Sequence, residues 1–142
     1  MSSSPLAEQQ NPVILLVEDD YLNRSMMFQF LTKLNYRVLM ATNGEDAIAL
    51  AKNWKPDLVI MDIELPIRHG YDAVKEIKAW GETANIPVLC ISAHVRPESR
   101  EEALHIGCDD YQSKPFLLKE FEARIKYLLL NGPEPSRPSS SV

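Results

Sequence analysis

Between Val13 and Leu130 the chain alternates two periodicities, and this restricts its possible folds more than any other feature. "VILLV" (13–17) is a short apolar run with β-branched residues, the pattern of a strand buried on both faces. Leu22, Met26, Phe30 and Leu34 then recur at helical spacing, and Met27 and Leu31 widen the stripe. "YRVLMA" (36–41) predicts a second strand, and Ala47, Ile48 and Ala51 mark a short helix after Asn43–Gly44. "DLVIMD" (57–62) is a third strand, followed by helical "YDAVKEIKAW" with Val74, Ile77 and Lys78. "IPVLCIS" (86–92) is a fourth strand, and "PESREEALHIG" (97–107) a polar helix that Gly107 can stop. "DDYQS" (109–113) is a short fifth strand, and Phe121, Ile125 and Leu128 carry the last helix.

Five strands alternating with five helices predict an α/β fold: a five-stranded parallel sheet with helices on both faces, doubly wound and flavodoxin-like. Crossovers in such a sheet are right-handed. Ligands bind beyond the carboxyl ends of its strands, where the strand order reverses. This rule separates Asp57, which begins the third strand, from Asp62, which ends it. At ~3.3 Å per residue the two lie roughly 16–17 Å apart, and only Asp62 is at the ligand edge.

The same edge gathers Glu18, Asp19 and Asp20 after the first strand, Ser92 after the fourth and Lys114–Pro115 after the fifth. Each has a bland reading alone: acids cap a helix N-terminus, and the others are turn or strand-exit residues. Together they place carboxylates, a hydroxyl and an ammonium on one spot. Carboxylates held ~4 Å apart repel by about 1–4 kcal/mol per pair, so a cation is expected among them. The oxygen-only donor set favours Mg²⁺, which needs one or two carboxylates plus waters and phosphate oxygens. No calcium loop is present, and Cys90-x-x-x-His94 is a poor zinc pair. His69 and His105 read as surface residues.

Composition narrows the class further. The 142 residues carry a formal charge of −5, which disfavours nucleic acid as a general partner. No apolar run approaches the ~18 residues of a membrane span. Cys90 and Cys108 lie far apart in the chain, form no C-x-x-C pair, and are expected as unpaired thiols in a reducing cytoplasm. Residues 1–12 and 131–142 are rich in Ser, Pro and polar groups and are expected to be disordered tails around one domain at 13–130. The initial Met and tapering ends favour a complete protein. G-x-G-x-x-G and G-K-[ST] loops are absent, as are a flavodoxin phosphate loop and the D-x-D of aspartyl phosphatases.

"ILLVEDD", "VIMDIELP", "CISA" and "SKPF" together resemble the receiver domains of two-component response regulators, across about Val13 to Leu130. "VEDDYLNR" and "GCDDYQSKPF" are similar to the stand-alone phosphorelay and hybrid-kinase receivers. The resemblance implies that Asp62 accepts a phosphoryl group from a phosphohistidine on a histidine kinase or histidine phosphotransfer protein. It implies Mg²⁺ held by Asp19, Asp62 and the Glu64 backbone carbonyl, with Glu18 acting through water. Ser92 and Lys114 would bind the phosphoryl group, Tyr111 would turn inward as Ser92 moves, and Pro115 would follow a cis peptide bond. Such a domain is not an enzyme in the usual sense. Its output would pass by protein contacts or onward phosphotransfer, and the surface of the fourth helix, fifth strand and fifth helix would meet a downstream protein or a second copy. A phosphorylation-independent adaptor of the same fold is the alternative. Ser92 stands where threonine is commoner, and Arg68-His69-Gly70 replaces a usual M-D-G while keeping the glycine. Glu64 and His94 occupy variable positions beside the acceptor, where they would tune the acyl phosphate's lifetime.

Overall fold

The computed structural model describes residues 11–65, 70–93 and 97–133. Both expected tails, apart from residues 11–12 and 131–133, lie outside the described residues, as do Arg68, His69 and His94. The elements run β1 (Val13–Val17), α1 (Tyr21–Lys33), β2 (Arg37–Ala41), α2 (Gly44–Trp54), β3 (Leu58–Asp62), α3 (Gly70–Ala79), β4 (Val88–Ser92), α4 (Pro97–Ile106), β5 (Asp110–Ser113) and α5 (Leu118–Asn131). All strand pairs are parallel, in the order β2-β1-β3-β4-β5. The order reverses between β1 and β3, so the ligand edge predicted for this sheet is where β1 and β3 end.

Alternate residues of each strand feed opposite faces. Leu15, Val17, Val59, Met61 and Val88 pack with Ala47 and Ala51 of α2 and Val74 and Ile77 of α3. Ile14, Leu16, Ile60 and Ile91 pack with Met27 and Leu31 of α1 and with Phe121, Ile125 and Leu128 of α5. Strands β3 and β4 are buried at every position, as the unbroken apolar runs require. Asn43 caps α2 by accepting from the Asp46 amide at 2.8 Å. Gly107, at φ +133°, follows α4 and confirms the glycine stop.

Helix α1 departs from expectation. Its buried seam is Met27 and Leu31, whereas Leu22 and Met26 are 71% and 65% exposed. The helix is apolar on most sides, with Met26, Met27, Phe28, Phe30 and Leu31 in close succession, so spacing alone cannot pick the seam. Met26 instead borders a groove of about 670 Å³ that also takes in Phe30, Phe116 and Lys114.

The cysteines require a correction. Cys90 and Cys108, expected as unpaired thiols, are joined by a disulfide with Cα atoms 6.1 Å apart. That separation is ordinary for the bond. They stand 18 positions apart in sequence, but Cys90 lies on β4 and Cys108 just precedes its neighbour β5, so strand pairing brings them together.

The amino edge of the sheet is held by charge. Asp57 accepts from the Val13 amide at 2.8 Å. Buried Asp109 accepts from the Val88 amide at 2.8 Å and pairs with Lys78 Nζ at 2.8 Å. Lys78 also donates to the carbonyls of Ile86 and Ala84. A buried ion pair offsets its desolvation only when its remaining groups are satisfied in this way. Among the described residues, no helix is long and apolar enough to cross a membrane.

Candidate functional site

β1 and β3 each lead into an acid, and their parallel register sets those ends side by side. Glu18 follows β1 and is anchored by its amide on the Ala41 carbonyl at 3.0 Å. Asp62 is the last residue of β3. Both are nearly inaccessible, at 1% and 3%, whereas Asp19 faces solvent. Carboxylate oxygens of Glu18, Asp19 and Asp62 lie within 4.8 Å of one another, close enough to hold one metal ion. The next acid acts elsewhere. Asp20 caps α1, accepting from the Asn23 amide at 2.9 Å. The run of three acids therefore divides between capping and the cluster.

Lys114 approaches from β5, its Nζ 3.3 Å from Glu18 Oε1 and 3.7 Å from Asp62 Oδ2. The Lys114–Pro115 peptide bond is cis. One ammonium thus faces two buried carboxylates. Burial pushes the Glu18 carboxyl up to about 7, the Asp62 charge adds to the rise, and Lys114 opposes it. Asp62 is also raised by burial, with Lys114 again opposing. The set therefore lacks positive charge, and an oxygen-seeking cation suits it.

This predicts the pH response of the metal-free protein. Glu18 has a folded value above its unfolded one, so the folded state holds a proton that the unfolded state has lost. Its contribution to stability is fully present below about pH 4.5, where the unfolded acid is protonated, and is lost as pH rises through about 7. The loss should be on the order of 2–3 kcal/mol. Urea midpoints compared at acidic and mildly alkaline pH should show it, and Glu18→Gln should flatten the difference. Stability that rose with pH in the wild type and not in the variant would contradict this arrangement.

Ser92 ends β4, wholly buried, and Tyr111 lies on the adjacent strand. Tyr111 is only 6% exposed and belongs to the core cluster, so the side chain expected to turn inward is already inward in this state. Arg100 of α4 donates to the Tyr111 carbonyl at 3.1 Å. Arg100 and Arg124 of α5 both pair with Asp110, at 3.3 and 2.8 Å, so one carboxylate ties α4, β5 and α5 together.

Two sets of contacts escaped the sequence. Arg24 donates to the Glu18 and Asp19 carbonyls at 3.0 and 3.2 Å, fixing the acidic loop from α1. Its spacing from the acids carries no signal that separates it from a surface arginine. The Glu64 side chain, expected beside the acceptor where it would tune the acyl phosphate's lifetime, accepts from Ser92 Oγ at 3.0 Å while the Glu64 amide donates to Asp62 Oδ1 at 3.0 Å. His105, expected at the surface, is exposed.

Comparison with known proteins identifies the family. The family described as response regulator receiver domain matches residues 14–126. A probable transcriptional regulator, ycf27, of Porphyra purpurea is 35% identical over 122 residues, covering 86% of this chain and 49% of that protein. Hybrid signal transduction histidine kinase G of Dictyostelium discoideum is 38% identical over 118 residues, covering 81% of this chain and 3% of the kinase. The chain thus spans about half or less of the length of the curated relatives it matches. The receiver domain of sensor histidine kinase PA1611 from Pseudomonas aeruginosa superposes with a TM-score of 0.80 at 31% identity, over 85% of this chain and 99% of that one. That structure has a magnesium ion coordinated in its active-site cleft. A putative response regulator from Chloroflexus aurantiacus gives 0.82 at 29% identity, over 86% and 100% of the two chains. On the family match, the parallel fold and the placement of the acids, this chain belongs to the receiver domains of two-component response regulators.

Proposed function

We propose that this chain takes a phosphoryl group from a phosphohistidine onto Asp62, in the presence of Mg²⁺, and passes the signal on through protein contacts or onward transfer. The observation that carries the reading is the meeting of Glu18, Asp19, Asp62 and Lys114 at the switch point of the sheet. A carboxylate oxygen of Asp62 attacks phosphorus, the bond from phosphorus to the histidine nitrogen breaks, and its electron pair stays on the imidazole. The product is an acyl phosphate. Such transfer depends on positioning and charge neutralisation more than on further covalent steps by the protein. Lys114 neutralises from one side, and Ser92 offers a hydroxyl from β4. Asp19, Asp62 and the Glu64 carbonyl would hold Mg²⁺, with Glu18 contacting it through water. When bound, the cation supplies the positive charge that Lys114 alone does not. Incubation with acetyl phosphate and Mg²⁺ should add one phosphoryl group, read by mass spectrometry. No uptake would leave the phosphorylation-independent adaptor.

The proposed outlet is the face of α4, β5 and α5. Arg100 grips the Tyr111 carbonyl and the Asp110 carboxylate together, and Arg124 extends the tie to α5. A shift at Ser92 or Lys114 therefore meets a linked surface rather than separate elements. Hydrogen exchange should change between residues 100 and 118 on phosphorylation, more than around α1. Protection changes confined to α1 would place the outlet on a different surface.

A further inference from the structure

An anion built on Asp62 would meet two donors at the end of β4, the Ser92 hydroxyl and the Ala93 amide. Both are already turned toward one carboxylate. Ser92 Oγ donates to Glu64 Oε2 at 3.0 Å, and the Ala93 amide approaches Glu64 Oε1 at 3.4 Å. Glu64 lies two residues past Asp62, with its own amide held on Asp62 Oδ1 at 3.0 Å. The pairing uses both carboxylate oxygens on two donors, one of them on a residue with no exposed surface. A phosphoryl group on Asp62 would present oxygens to the same hydroxyl and amide.

We propose that the Glu64 carboxylate is a resident anion in the phosphoryl-receiving pocket: it engages Ser92 and Ala93 before phosphorylation and must leave them when Asp62 becomes an acyl phosphate. The proposal rests on Asp62 being the acceptor. It makes phosphorylation an exchange of one anion for another at β4. Ser92 is held in place beforehand, so the incoming group does not capture a loose hydroxyl. The incoming phosphate also meets a like charge, which slows its arrival. Glu64 is therefore a positioning residue that sets both the resting state of Ser92 and the ease of phosphoryl entry.

Two variants separate charge from shape. Glu64→Gln keeps the length and one acceptor oxygen but removes the charge, whereas Glu64→Ala removes both. Neither alters the Glu64 main-chain carbonyl. The first readout is the Ala93 amide resonance in ¹⁵N-labelled protein without any phosphodonor. The second is the rate of phosphoryl uptake from acetyl phosphate at saturating Mg²⁺, in which an Asp62 oxygen bonds phosphorus and acetate leaves with the electron pair of the broken P–O bond. The Ala93 resonance should move markedly in Glu64→Ala and less in Glu64→Gln. Uptake should rise about five-fold in both, because a like charge no longer opposes the incoming phosphate. An unmoved Ala93 amide in Glu64→Ala, or uptake no faster than wild type in both variants, would overturn the proposal alone. No uptake by the wild-type protein would overturn the reading of Asp62 and this proposal with it.

Discussion

Asp62→Asn should reduce phosphoryl uptake to background, a fall on the order of 10³-fold or more, because a neutral amide oxygen is a poor nucleophile toward phosphorus. The fold should persist. Asparagine has nearly the same shape, and its carbonyl oxygen can still accept from the Glu64 amide that Asp62 Oδ1 now engages. The substitution also removes one of two buried carboxylates facing a single ammonium, so the metal-free variant should be at least as stable as the wild type. Asp57→Asn is the matched control. Its side chain accepts from the Val13 amide at the opposite edge, and an asparagine oxygen can keep that bond. Full Mg²⁺-dependent uptake by Asp62→Asn, measured by intact-protein mass spectrometry beside Asp57→Asn, would remove Asp62 from the role.

The second large effect concerns backbone. Gly70 opens α3 and donates its amide to the Ile63 carbonyl at 3.2 Å, which ties the start of α3 to the end of β3. A Cβ added there would stand 2.4 Å from the Ile63 Cα and 2.7 Å from the Asp62 carbonyl oxygen. Both contacts are main chain, with no flexible side-chain end to give way. Gly70→Ala should therefore cost about 2–4 kcal/mol in urea unfolding and displace Asp62, slowing uptake as well. Gly81→Ala, where an added Cβ meets nothing within 4 Å, should change neither. A Gly70→Ala midpoint equal to the wild type would mean that this tie has another way to form.

The strands were legible in the sequence because parallel strands buried on both faces must be almost wholly apolar, and "LVIMD" and "VLCIS" are. Reading the sheet as parallel then assigned Asp57 and Asp62 to opposite edges without any knowledge of contacts. Helix α1 was less legible, since a helix apolar on most sides does not reveal whether Leu22 or Met27 faces inward. The Cys90–Cys108 bond depends on which strands are neighbours, and sequence distance conceals that. Side-chain direction was the least legible. "DIELP" shows that Glu64 lies near Asp62, but its turn toward Ser92 follows from the loop's fold rather than from spacing. The salt bridge of Lys78 with Asp109 was hidden for the same reason: Lys78 follows Val74 and Ile77 on the third helix and Asp109 starts the fifth strand, and nothing in their spacing joins them.

The two edges of the sheet differ in how their acids are served. At the amino edge Asp57 has its amide, and Asp109 has an amide and an ammonium. At the carboxyl edge Glu18 and Asp62 each accept an amide as well, from Asp20 and Glu64, but the two inaccessible acids share one ammonium, Lys114. At the amino edge Asp109 and Lys78 offset one another, whereas the carboxyl edge holds more negative than positive charge. Any further anion there would add to an existing excess, so a bound cation would have far more to offset at this edge than at the other.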